Sequence, residues 1–359
     1  MRKQFYYYII LPVLLSMIFL IQQKTVLELC ELQTCPFCYG EDMCVDIREN
    51  KITLQYSSVS DFIYNLLSVK NVYFAVYDNK KVVLKKLAHD SELHKLDLDS
   101  IKSVKHSLMY EHQSFAICDN RTFDAFWQNA DFKNARHLST ILQINAEPVL
   151  LKIFSAGEDF PVPKLFGFCG RLAIMENCGQ PLTTIENHSW IDRCYVAYQI
   201  LQAAKDFTGN HERFRLYLTD ISPDNIVVND ELKVAFVDLE HAVVKMMEAD
   251  GFGTSRVHHT VHVADTYYYS REELCEHSVS DHNIYGVCMM ILSKFSPWPM
   301  MEGGLLHDPP EFVTRNHGNL FEYIEMCVET NEQISRFEIT DSILNELEVI
   351  LSREFKIPK

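Results

Sequence analysis

Residues 217–240, Tyr-Leu-Thr-Asp-Ile-Ser-Pro-Asp-Asn-Ile-Val-Val-Asn-Asp-Glu-Leu-Lys-Val-Ala-Phe-Val-Asp-Leu-Glu, constrain this chain more than any other stretch. Asp220 is followed five positions later by Asn225, and then by a short apolar strand, Val234 to Val237, that runs into Asp238. Oxygen ligands set at the ends of facing strands suit hard divalent cations. A further carboxylate beside them can orient a hydroxyl. The same residues also make an ordinary β-hairpin, because Asp, Pro and Asn are turn formers. The Asp-to-Asn spacing alone favours that plainer reading. The apolar strand ending in a second acid reverses it.

At 359 residues and 47% apolar composition, the chain can bury one large core or two lobes sharing a cleft. Its 33 basic and 49 acidic residues leave a net charge of −16, with no basic run to meet a phosphate backbone, so no nucleic-acid partner is expected. At the N-terminus, Arg2 and Lys3 precede an apolar run from Phe5 to Ile21. As a helix this run spans roughly 25 Å, slightly short of the ~30 Å hydrocarbon core. Residues 1–23 therefore read as a signal peptide or a short signal anchor. No small-x-small cleavage site follows, which favours the retained anchor, and the leading cations send everything after it into the lumen.

Cysteine usage agrees with that compartment. Four of the eleven cysteines, Cys30, Cys35, Cys38 and Cys44, crowd behind the apolar run. In a reducing cytosol they would suggest zinc; behind a secretory signal, residues 24–50 read as a disulfide-tied stem whose connectivity stays open. Cys35 and Cys38 form a C-x-x-C without a thioredoxin-like βαβ pattern, so redox catalysis is not expected. Asn120-Arg-Thr and Asn187-His-Ser are sequons usable only in the lumen.

Lys51 to Tyr56 alternates as a strand, and Ser58 to Leu67 has helical spacing behind a Ser58/Asp61 capping box. Val72 to Tyr77 and Lys81 to Lys86 read as strands joined by an Asp-Asn turn. Residues 86–140 are polar and weakly patterned, as in an insertion. Leu138 to Phe154 is helix-like but interrupted by Pro148, and two strands, Pro163 to Phe168 and Leu172 to Glu176, precede a Gly-Gln-Pro turn. Ile191 to Phe207 is a long amphipathic helix, and Asp281 to Leu292 an apolar one. His258, His259 and His262 have partial metal-ligand spacing, but a solvated loop is the stronger reading.

Here the chain resembles the divergent protein kinase domain family, most closely its deleted-in-autism branch of secretory-pathway proteins. The resemblance is carried by Asn71-Val-Tyr-Phe-Ala, Val82-Val-Leu-Lys-Lys, Pro163-Lys-Leu-Phe-Gly-Phe-Cys-Gly, Asp281-His-Asn-Ile-Tyr-Gly-Val-Cys and Gly303-Gly-Leu-Leu-His-Asp-Pro-Pro, together with the 217–240 stretch. It implies an α+β, bilobal kinase-like fold, with a β-rich N-lobe over 51–176 carrying the 86–140 insertion and a helical C-lobe over 177–359. By position it also implies that Lys85 neutralises the phosphates of ATP, with Lys86 its competitor because one residue of register exchanges their faces. Glu147 takes the place of the lysine's acidic partner, with Glu92 and Glu111 as fallbacks. Met175-Glu176-Asn177 falls where backbone groups meet adenine, Asp220 is the catalytic base, and Asn225 and Asp238 ligate Mg²⁺ or Mn²⁺. Asp281 anchors the backbone around Asp220.

Three departures weigh on these roles. No glycine lies between Gly40 and Gly157, so the loop that cradles phosphates is absent; the helix opening near Ser58 is one candidate replacement. Leu218-Thr219 stands before Asp220 in place of His-Arg, and Leu239-Glu240 follows Asp238 in place of Phe-Gly. Glu240 is then either a further metal ligand or a loop acid. The expected function is ATP- and metal-dependent phosphoryl transfer to a lumenal or extracellular protein or glycan, with the membrane met only through an uncleaved anchor. The alternative is a catalytically silent kinase fold acting as a secreted signalling or binding ligand.

Overall fold

The computed structural model describes residues 25–55, 71–98, 115–155, 160–247, 257–262, 267–329 and 334–354. The chain falls into two compact units, one of Met1–Asp99 with Phe166–Met175, the other of Ser100–Leu165 with Glu176–Lys359. Segment 1–23, the Ser58 to Leu67 helix and Glu111 lie outside the described residues. Within the described residues no helix is long and apolar enough to cross a membrane.

The first unit contains α1 (Val26–Leu29), α2 (Cys44–Arg48), β1 (Ile52–Leu54), β2 (Val72–Tyr77), β3 (Lys80–Lys85) and α3 (Asp90–Leu98). After β4 (Ala116–Ile117), which belongs to the other unit, it is completed by β5 (Leu165–Cys169) and β6 (Leu172–Glu176). The sheet runs β1-β2-β3-β6-β5. The β2–β3 hairpin turns at Asp78 and Asn79, both with positive φ (48° and 63°). Asp and Asn tolerate that conformation, and its twist matches the flanking strands. Val82 and Leu84 are fully buried while Val83 between them is half-buried, which is the alternation of a one-sided strand.

The cysteine stem is part of this unit's core. Val26, Leu29, Met43 and Ile47 pack with Ile52, Tyr73, Ala75, Val82, Leu84 and Ile174. Cys44 is disulfide-bonded to Cys169, Cys35 to Cys38, and Tyr39 and Gly40 exchange backbone hydrogen bonds with Gly170. Cys30 remains a buried thiol. The C-x-x-C pair therefore closes a tight local loop, and the long-range bridge pins the stem to the sheet.

The second unit begins with β4 and α4 (Asn120–Asn129), α5 (Ala135–Ile144) and α6 (Glu147–Ile153). The expected N-lobe boundary differs from this division. Residues 115–155 are joined to the C-terminal part by the parallel β4 pairing with β11 (Ala242–Met246), by the Cys118–Cys275 disulfide, and by Thr122 Oγ accepting the Met246 N–H. Their polar surface residues conceal an apolar stripe, Phe123 and Phe126, that finds this partner only in three dimensions. The helix break also sits earlier than Pro148. It falls at Asn145–Ala146, and Pro148 occupies the first turn of α6, where a missing N–H costs nothing.

Next come β7 (Gln180–Pro181), α7 (Trp190–Gly209), β8 (Phe214–Leu218), β9 (Ile226–Val228) and β10 (Val234–Phe236), ahead of β11. The Gly-Gln-Pro turn carries β7 onto β9. Gly179 (φ 131°) permits this, since a Cβ there would lie 2.1 Å from the Val228 carbonyl oxygen. β12 (Val257–His258) pairs with β13 (Val279–Ser280), and α8 (Arg271–Glu276) lies between them in sequence. The expected Asp281–Leu292 helix is α9 (His282–Val287) running into a π-helical turn at Cys288–Leu292. α10 (Glu311–Asn316), α11 (Asn319–Val328) and α12 (Arg336–Glu354) complete the unit, with Cys288 bridged to Cys327.

Candidate functional site

Two ladders bring Asp220, Asn225 and Asp238 to one end of the second unit. In the first, β8 pairs antiparallel with β11, and both the Thr219 N–H and its hydroxyl donate to the His241 carbonyl (3.2 and 3.1 Å). In the second, β9 pairs with β10, and the Val237 N–H donates to the Asn225 carbonyl (2.9 Å). Asp220 thus leaves the first ladder while Asn225 enters the second, and residues 238–240 cross back between them.

The Asn225 side-chain amide donates to the Asp220 carbonyl (3.1 Å) and to its Oδ2 (3.0 Å). With Nδ2 used in this way, Oδ1 is the oxygen that Asn225 can offer a cation. Asp238 has φ 59°, a left-handed conformation that Asp adopts more readily than most residues. An amide oxygen and a carboxylate form a hard-oxygen donor set that fits Mg²⁺ or Mn²⁺, with phosphate and water completing the shell. No group of three or more His, Cys, Asp or Glu residues suited to a metal occurs among the described residues.

The loop around Asp220 is held from α9. Asn283, fully buried, accepts the Leu218 N–H (2.8 Å) and donates to the Leu216 carbonyl (2.7 Å) and to Thr208 Oγ (2.9 Å). Tyr267 donates to the Leu218 carbonyl (3.2 Å) and meets His282 Nε2 (2.9 Å). Burial, then the nearby Tyr285 and the negative charge of Asp220, push the Tyr267 phenol well up, so it stays a donor. Gly286 allows α9 to approach closely, because a Cβ there would meet Ile221 Cδ1 at 2.5 Å.

Asp281 does not perform the anchoring expected of it. Its buried carboxylate accepts the Thr260 N–H (2.9 Å) and pairs with His259 Nδ1 (2.7 Å) and Arg336 Nη1 (2.6 Å), tying segment 257–262 to α12. Burial pushes its pKa up, but the His259 hydrogen bond and the Arg336 charge outweigh this and hold it low. Asn283, two residues on, anchors the loop instead. Its sequence signal was a polar residue inside an apolar helix. The three histidines do not converge on one point: His258 bonds Ser280, the exposed His259 bonds Asp281 and His262 bonds Tyr285.

Glu147 is fully buried, and its Oε1 accepts the Asp238 N–H (2.7 Å). The fallback Glu92 accepts the N–H of its neighbour His89. Glu240 accepts a hydrogen bond from Asn145 Nδ2 and lies 3.5 Å from His241 Nε2. The Glu176 N–H donates to the Lys164 carbonyl (2.8 Å), and its exposed carboxylate faces the Lys164 N–H (3.3 Å), so that amide is not a donor for adenine.

In the first unit, Lys86 is buried, with Nζ 2.5 Å from Glu31 and 2.9 Å from Asp90. Lys85 lies half-buried on the opposite face, with Val83. Lys86 thus holds the stem to the sheet, while Lys85 lies on the other face of the strand.

The family described as "Protein-kinase domain of FAM69" matches residues 138–330. The chain belongs to that family. It is 27% identical to human "Divergent protein kinase domain 2A" over 366 residues, covering 86% of this chain and 84% of that protein, and equally so to the mouse protein. Mouse "Divergent protein kinase domain 2B" is 30% identical over 80 residues, 22% of this chain. The matched stretch contains Glu147, Glu176, Asp220, Asn225 and Asp238, while Lys85 precedes it. The α+β arrangement of sheets and many helices is that of a kinase-like domain.

Proposed function

We propose that this FAM69-family chain binds ATP with Mg²⁺ or Mn²⁺ and transfers its terminal phosphoryl group to a hydroxyl on a secretory-pathway protein or glycan. The observation that carries the reading is the joined Asp220–Asn225 pair beside Asp238, held by two strand ladders and by Asn283. Asp220 orients the acceptor hydroxyl and takes its proton. Asn225 Oδ1 and Asp238 hold the cation, which when bound offsets charge on the transferring phosphoryl group. Lys85 supplies positive charge to the phosphates, and the chain at Glu176 borders adenine. Glu147 fixes the backbone of Asp238 through its N–H. A lumenal or extracellular setting is supported by four disulfides, two of which span more than a hundred residues.

The test is nucleotide-dependent thermal stabilisation of the lumenal portion with Mn²⁺ or Mg²⁺. Stabilisation that Asp238→Asn abolishes is expected, and its absence in the wild type refutes the reading. The second reading, a silent fold acting as a secreted ligand, is favoured by the missing glycine loop. Under it, Asp220→Asn rescues a cellular phenotype as well as the wild type; under the first, it does not.

A further inference from the structure

The residue after α5 closes a ring of hydrogen bonds around Asp238. Asn145, buried, accepts the Glu147 N–H through Oδ1 (2.9 Å) and donates through Nδ2 to Glu240. Glu147 accepts the Asp238 N–H (2.7 Å), and Asp238 leads through Leu239, itself buried, back to Glu240. The ring therefore grips the chain on both sides of Asp238. One side chain holds its amide, and another holds the carboxylate two residues later.

We propose that Asn145 is a positioning residue for the cation-holding carboxylate of Asp238, a role that rests on the phosphoryl-transfer reading above. The physical argument is geometric. Asp238 sits in the left-handed region (φ 59°), and its N–H is held there by Glu147. Leu-Glu in place of Phe-Gly removes the flexible glycine after this acid and supplies, in Glu240, the acceptor that Asn145 needs. An asparagine suits position 145 because it offers one acceptor and one donor at once. An aspartate there would still accept the Glu147 N–H, but it would face Glu240 with a like charge. Asn145 thus ties the Glu147 that holds the Asp238 amide to the carboxylate two residues after Asp238.

The experiment compares wild type, Asn145→Asp and the double variant Asn145→Asp/Glu240→Gln. In the double variant the donor and acceptor are exchanged, so the ring re-forms with reversed polarity. Two quantities are read: the Mn²⁺ concentration giving half-maximal ATP-dependent thermal stabilisation, and the hydrogen-exchange rate of the Asp238 amide without nucleotide. Asn145→Asp is expected to raise the Mn²⁺ midpoint about tenfold or more, the usual cost of losing an outer-shell partner. It is also expected to quicken Asp238 exchange, with the double variant restoring both. The proposal is overturned if Asn145→Asp merely lowers melting temperature while midpoint and exchange stay as in the wild type, or if the double variant restores neither. A wild type without any Mn²⁺–ATP response refutes the phosphoryl-transfer reading separately, and Asp238 exchange then decides the ring by itself.

Discussion

Replacing Lys86 by methionine tests which member of the Lys85-Lys86 pair supports the fold. The Lys86 side chain is 2% exposed and joins Glu31 and Asp90, whose side chains are 30% and 67% exposed. Breaking a fully buried pair costs about 3–5 kcal/mol, and breaking an exposed one at most about 1 kcal/mol. Here Asp90 rehydrates readily, and Glu31 keeps Arg171 at 3.5 Å. Methionine retains most of the apolar stem, so little cavity opens. The loss should therefore fall between the two limits, at about 2 kcal/mol. Burial pulls the Lys86 pKa down, but the bonds to Glu31 and Asp90 outweigh it and the net shift is upward. A raised pKa contributes stability that is fully present at neutral pH and lost only above 10.5, so buffers near pH 7 report the whole effect. The assay is urea unfolding, read as a lower midpoint with an unchanged m-value. Lys85→Met should cost under about 1 kcal/mol while weakening the ATP response. The reverse pattern, a stable Lys86→Met that loses ATP and a destabilised Lys85→Met, would show the strand faces to be misread.

Two further perturbations probe the scaffold of the site. Asn283→Ala leaves the Leu218 N–H and Leu216 carbonyl without their buried partner, so unfolding free energy should drop by about 2–3 kcal/mol; a change under about 0.5 kcal/mol in a denaturant titration would contradict the anchoring role. His282 is buried, which, against the opposing pull of Asp281, lowers its pKa to about 4. Between pH 6.5 and that value the unfolded chain takes up a proton that the folded chain refuses, so each unit of acidification lowers stability by about 1.4 kcal/mol. His282→Gln should flatten that slope in pH-dependent unfolding, and an unaltered slope would exclude His282 as its source.

That Asp220, Asn225 and Asp238 come together could be read before any fold was known. The 217–240 stretch names its three oxygen-bearing residues because two short hairpin ladders form among near neighbours, and strand alternation with an Asp-Asn turn likewise foretells β2 and β3. Asn145 could not be found this way: it acts on Glu240 across 95 residues, and its own neighbourhood shows only a helix break. Asp281 shows the same limit: nothing in its own neighbourhood reveals that Arg336 and His259 claim its carboxylate.

Turn chemistry, residue periodicity and motif spacing belong to consecutive residues, and so the order of strands, the long α7 helix and the acid-amide-acid series were fixed by the chain itself. Disulfide partners, the burial of Lys86 against the stem, and the ring that grips Asp238 depend on which distant groups share a buried volume. Only folding decides that, because a buried charge or amide is stable only beside a partner that no local sequence can specify.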